Sequence, residues 1–254
     1  RSIQEFFAAC HLMDSASGTE ERFKRLLAIS RSPHWRNTAL FCAGRIGRGF
    51  PGEAPRVVEL CKEVDRAGLD RYLRRGARLA LEIAIDQALL PDQQLQRSLF
   101  EVAASVFTSD SSPLKFEDTI STMLTASHED KEKHVKPVLV AMAESLDPAR
   151  SGPLLRMLSN IEPAGQSTVD LLDTLSSTPE CQLEVVRACL ALVAVDERET
   201  PRLAALIAHC TPEFLARCLR HSQCEPDRII AALEGEAPAS VSAVAAEAFA
   251  RLAL

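Results

Sequence analysis

Four arginines in the stretch DRYLRRGARLALE, Arg71, Arg74, Arg75 and Arg78, are spaced i, i+3, i+4 and i+7. On one continuous helix this spacing gathers them on a single face, a cationic strip able to receive an acidic protein surface or a nucleic-acid backbone. The competing reading is a solvated face, with Arg78 paired to Glu82 one turn on and Arg71 and Arg74 balanced by nearby acids. No aromatic run that could stack bases accompanies them.

Two further clusters have the residue types for chemistry. His209, Cys210, Cys218, His221 and Cys224 lie close together in the sequence, and Cys218-x-x-His221-x-x-Cys224 carries three donors that zinc accepts. The phrase PEFLARCLRHSQC nevertheless reads as a helix whose Phe214, Leu215, Cys218 and Leu219 form an ordinary buried stripe, so its cysteines are expected to be reduced core residues and no metal site is assigned. The glycines of AGRIGRG, Gly44, Gly47 and Gly49, could suggest a phosphate loop. They follow a helix rather than a strand and no Lys-Ser/Thr comes after them, so they are read as a helix ending and an exposed turn. Hydrolase, metalloprotease and deaminase signatures are absent from the sequence, and no catalytic residue is assigned.

The elements that would carry these residues are helices. Ala and Leu are abundant, aromatics make up 5% of the chain, and apolar residues recur with helical period in segment after segment. TEERFKRLLAIS is expected to start with Thr19 as N-cap, and PHWRNTALFCAGRIG to run from Pro33 to near Gly47. RYLRRGARLALEIAIDQALL reads as one helix, and PDQQLQRSLFEVAASVF as another opened by Pro91 and Asp92. TSDSSPLKF is the most loop-like interval and HEDKEKH a solvated charge run. Pro or Ser/Thr-Pro opens several later segments. LALEIAI and VVRACLALVAV are apolar nearly all round and are expected inside a layered stack. Openings spaced by roughly 30 to 45 residues predict an all-α fold, an irregular α-solenoid of HEAT- or armadillo-like helix pairs, with a compact multi-helix bundle as the alternative.

With 254 residues, a net charge of −6 and both signs interspersed, the chain argues against duplex binding, which needs clustered cations. It has no eighteen-residue uncharged apolar run and no signal-peptide pattern, which points to a cytoplasmic protein without a membrane partner. Its eight cysteines sit mostly at apolar helical positions, not in a disulfide framework.

The opening stretch SIQEFFAACHL places Ile3, Phe6, Phe7 and Cys10 on one helical face. Such a stripe is normally built onto something already folded, so the chain reads as cut from a longer one. Gln4, Glu5, Phe6, Phe7, Ala8 and Ala9 resemble the Gln-Glu-aromatic-aromatic/Leu-Ala-Ala motif of the NACHT-type signal-transducing (NLR-like) ATPases. The following HWRNTALFCAGRI, with Trp35, is similar to the Trp-led helix often found downstream of it. The resemblance is confined to this N-terminal part. It implies that residues 1–50 are the helical tail of the NACHT-associated region and 51–254 a C-terminal helical-repeat sensor. In such proteins that region recognises a ligand and restrains the ATPase, in bacterial antiphage defence or animal innate immunity. ATP and magnesium would belong to an upstream core, and no nucleotide-binding residue maps onto this chain. Partners would be a protein ligand or the parent's own ATPase core. A free-standing HEAT-like interaction scaffold is the alternative, and a helical enzyme or nucleic-acid-binding domain acting through the arginine face a third.

Overall fold

The structure, a computed structural model, describes residues 2–66, 68–86, 88–89, 92–108, 128–220, 229–231, 233 and 238–252. The protein is all-α, with no strand among the described residues. Packing divides the chain into two units, one running to Val138 and the other beginning at Leu139.

The first unit contains α1 (Ser2–Asp14), α2 (Thr19–Ser30), α3 (Arg36–Gly49), α4 (Pro55–Val64), α5 (Gly68–Leu73), α6 (Arg75–Ile85) and α7 (Gln93–Ala104). Its helices pack in two series. α1 lies on α3 and α3 on α6, while α2 lies on α4 and α4 on α7. The first series starts at Ser2, Arg36 and Arg75 and the second at Thr19, Pro55 and Gln93, so both advance by nearly the same step along the chain. This is helical-repeat packing at the spacing expected from the sequence, each pair burying an apolar face that it cannot cover alone. Met13, Leu26, Ile46, Ile83, Leu99, Phe100 and Phe107 are fully enclosed between the series. Each contributes about 1.5–3 kcal/mol of transfer free energy. As its all-round apolarity predicts, α6 is buried from Leu79 to Ala84, Glu82 included.

The second unit repeats the device. Pro148, Pro179 and Pro212 recur at a near-constant interval, and each sits at or before the start of a helix: α9 (Gly152–Ile161), α11 (Gln182–Val195) and α13 (Pro212–Leu219). These three pack in succession, and α14 (Ala239–Leu252) packs on α13; α10 (Gln166–Leu175) and α12 (Thr200–Ile207) alternate with them. Tight 3₁₀ turns at Pro148–Arg150 and Pro179–Cys181 lead into α9 and α11, the second tied to the first by the Cys181 thiol donating to the Pro148 carbonyl at 3.3 Å. Proline suits such turns because its fixed φ matches the first helical residue and its missing N–H would have no partner there.

Several local expectations change. Thr19 does not cap α2: Gly18 holds the cap position, Glu21 reaches back to Ser17, and the Thr19 hydroxyl donates to Glu53 at 2.7 Å. Asp92 and Thr211 do cap, accepting from the backbone N–H groups of Leu95 at 3.1 Å and Phe214 at 3.2 Å. Gly44, Gly47 and Gly49 all lie within α3. Gly47 is an interior packing position rather than a turn, since a β-carbon there would stand 2.8 Å from the Ala88 carbonyl oxygen. The charge run HEDKEKH is helical and only partly solvated. It includes a π turn over Lys131–Val135, ahead of α8 (Lys136–Ala143), in which Lys136 N–H bonds to the Lys131 carbonyl, and Asp130 and His134 are buried. Pro137 explains the widened turn, because its ring cannot donate to the carbonyl four residues back and crowds it. The His134 ring lies parallel to that of Phe100, ring centres 6.4 Å apart. Of TSDSSPLKF, residues 109–116 lie outside the described residues.

Candidate interaction surfaces

The four sequence-predicted arginines do not share a helical face. The helix expected from residue 71 onward breaks at Arg74, whose φ of 49° and ψ of 43° are left-handed, separating α5 from α6. Arg71 belongs to α5, its side chain outside the described ones, while Arg75 and Arg78 belong to α6. The break has a tertiary cause. Asp65, just past α4, caps α6 from outside, accepting the backbone N–H groups of Gly76 at 2.7 Å and Ala77 at 2.9 Å. Burial nonetheless pushes its carboxyl above the usual aspartate value, against the pull of those two hydrogen bonds. Next to this cap Gly76 lies directly against the Cys61 carbonyl.

At the elbow so formed, Arg74 Nη2 donates to both the carbonyl and the hydroxyl oxygen of Ser105, each at 2.9 Å, while its Nε is buried without a hydrogen-bond partner. Arg75 donates to the Arg31 carbonyl and pairs with Asp70 at 3.0 Å. Arg78 pairs with Glu82 at 3.1 Å, the contact expected under the solvated reading. Two neighbours were not foreseen. Arg36 of α3 holds the other Glu82 oxygen at 2.7 Å, and Arg31 approaches the other Asp70 oxygen at 3.7 Å. Each carboxylate thus serves two guanidinium groups.

Arg36, Arg74, Arg75 and Arg78 line a pocket of about 440 Å³ with Glu82, over an apolar floor that includes Ala39, Leu79 and Leu81. The signal for Arg36 was the repeat itself. Arg36 and Arg75 are both the first residue of their helices, one repeat apart, so stacking α3 on α6 brings equivalent positions together. Arg74 also borders a second pocket, of about 750 Å³, walled by polar and apolar side chains of α4 and α7, Lys62 and Val58 on one side and Glu101 and Val102 on the other.

A second surface is aromatic. α1 turns Ala9 and Met13 into the core, and Glu5 accepts from Asn37 at 3.2 Å while Arg45 forks onto Asp14 at 2.9 and 3.0 Å, fixing α1 on α3. Phe6 packs edge-on against Phe7 and Phe41, ring centres 5.8 Å apart in both cases, and Phe7 remains 65% exposed with Ile3 beside it on α1 equally open. Trp35 closes the turn Pro33–Trp35 ahead of α3 and is half exposed.

Of the cluster read as core cysteines, Cys218 is fully buried in α13 and the Cys210 thiol donates to the Leu206 carbonyl at 3.3 Å; His221 and Cys224 lie outside the described residues. No grouping of three metal-ligating side chains occurs among the described residues. Nor is any helix among them long and apolar enough to cross a membrane. No protein-family model matches the chain, and no curated protein matches it.

Proposed function

We propose that this chain is the non-catalytic, C-terminal sensor and autoinhibitory part of a NACHT-type signalling ATPase, a helical-repeat surface that recognises a protein ligand and restrains an upstream nucleotide-binding core. The observation that carries the proposal is on α1. The six residues that match the family motif, Gln4 to Ala9, form a helix that packs through Ala9 while leaving Phe6 and Phe7, with Phe41 of α3, at the surface. Clustered aromatics in water carry a free-energy cost that another folded body removes by covering them. In the proposed parent that body is the ATPase core. Stacked helix pairs supply an extended recognition surface, and a ligand that binds better when the core is released shifts the population towards the active state.

The coding sequence upstream of Arg1 gives the first test, with an in-frame Gly-x-x-x-x-Gly-Lys-Ser/Thr expected within a few hundred codons. A stop codon with no such motif ahead of it returns the chain to a free-standing HEAT-like scaffold. In the parent, Phe6→Ser with Phe7→Ser should raise basal ATP turnover by loosening the restraint, and unchanged turnover with unchanged stability defeats the autoinhibitory role.

A further inference from the structure

The elbow between α5 and α6 combines several features that together suit recognition. Its pocket of about 440 Å³ is lined by four guanidinium groups and one carboxylate. Glu82 and Asp70 are each shared between two arginines, Asp65 stands near Arg74 and Asp86 near Arg36, and the five guanidinium groups of Arg31, Arg36, Arg74, Arg75 and Arg78 outnumber these four carboxylates. Beside it, α5 presents Leu69, Tyr72 and Leu73 at i, i+3 and i+4, with Leu69 76% and Tyr72 74% exposed. Leu73 itself lines the pocket, so the apolar face of α5 and the arginine cluster are continuous. The backbone at their junction is held in the strained left-handed conformation of Arg74, a kind of strain that concentrates at recognition sites.

We propose that this elbow docks an acidic segment of a partner protein carrying one large apolar side chain. The apolar side chain enters the pocket over Leu79 and Leu81, neighbouring carboxylates meet Arg36 and Arg75, and the flanking backbone lies across Leu69 and Tyr72. Buried apolar anchors supply affinity in such interfaces, and charge complementarity supplies orientation and exclusion of wrong partners. A small anion would occupy only part of the pocket and leave α5 uncovered. A nucleic-acid backbone, charged at every step, carries no apolar anchor for the pocket floor at Leu79 and Leu81 or for the exposed face of α5.

The site gives a ligand class to the recognition role proposed above and rests on that role only for its biological use, because binding is measured on this chain alone, without nucleotide or ATPase core. The probe is a panel of fluorescein-labelled synthetic peptides, each with one Trp flanked by glutamates at strand or helix spacing, read by fluorescence anisotropy. Lys-for-Glu and Ala-for-Trp counterparts serve as controls. Saturable binding is expected for Glu/Trp peptides, at least tenfold weaker for both counterparts and weakening as salt is raised. Leu69→Ser with Tyr72→Ser, at exposed positions that keep the fold, should weaken it at least tenfold, as should Arg75→Gln, while Phe7→Ser leaves it unchanged. Glu peptides that bind no better than Lys peptides overturn the proposal. So does binding indifferent to the α5 substitutions in protein of unchanged melting temperature, or a single-stranded oligonucleotide that outcompetes every peptide.

Discussion

A β-carbon on Gly76 would lie 1.8 Å from the carbonyl oxygen of Cys61, so α4 and α6 touch backbone to backbone at this point. Glycine alone allows that approach, and the approach in turn sets the Asp65 carboxylate over the first N–H groups of α6. Gly76→Ala should therefore cost about 3 kcal/mol or more, since two backbones rather than a side chain must move. Gly52→Ala, where nothing lies within 4 Å, should change stability by less than about 0.5 kcal/mol. Urea denaturation of both variants checks the contrast, and equal losses would remove the backbone contact as the cause.

Arg74 should reverse the usual preference for alanine over glycine inside helical segments. Arg74→Ala and Arg74→Gly both lose the two bonds to Ser105, but only glycine adopts φ of 49° without penalty. The glycine variant should be the more stable by about 1 kcal/mol. An alanine variant of equal or greater stability would mean that α5 and α6 fuse into one helix, which the helical signal in circular dichroism would report.

Acid should act through Glu21. Its carboxylate accepts the Ser17 hydroxyl at 2.6 Å and the Ser17 backbone N–H at 2.7 Å and pairs with Arg25, which together hold its pKa down at about 2. A carboxyl depressed in the folded state contributes stability above its ordinary value near 4.5 and loses it as pH falls towards about 2. Wild type should be more stable than Glu21→Gln at pH 7, and the gap should close across that window. A gap independent of pH would place the contribution in packing.

The thiols should sort by depth. Burial pushes Cys42, Cys189 and Cys218 up to about 12 and raises Cys61 as well, so these four should resist alkylation in native protein at pH 8. Among the described cysteines the half-buried Cys10 and Cys210 should react first, and denaturant should make every thiol reactive. Peptide mass mapping after brief alkylation reads the order, and early labelling of Cys218 would contradict its place in the core of α13.

Much of this fold was legible from periodicity and punctuation. Asp92 and Thr211 cap the helices that they open, although Thr19 does not, and the all-round apolar segments at α6 and α11 are largely buried, with Val195 exposed, because burial is recorded largely in residue type. The break at Arg74 was not legible. Arg and Leu favour helix on both sides, and what interrupts it, Asp65 and the Cys61 carbonyl, arrives from another helix. For the same reason the predicted arginine strip dissolves. A pocket replaces it, with Arg36 supplied from the equivalent position one repeat before Arg75. His134, in a run that reads as solvated, is buried, its ring parallel to that of Phe100 of α7.

The near-constant step from one helix pair to the next leaves each pair dependent chiefly on its immediate neighbours. Damage therefore has a short reach: a lesion in α13 is felt in α11 and α14, not in α9. It also makes length an adjustable property. Whole pairs can be gained or lost in descent without a new folding problem, so related chains should differ by steps of about 30 to 40 residues, and the recognition surface can be retailored one pair at a time.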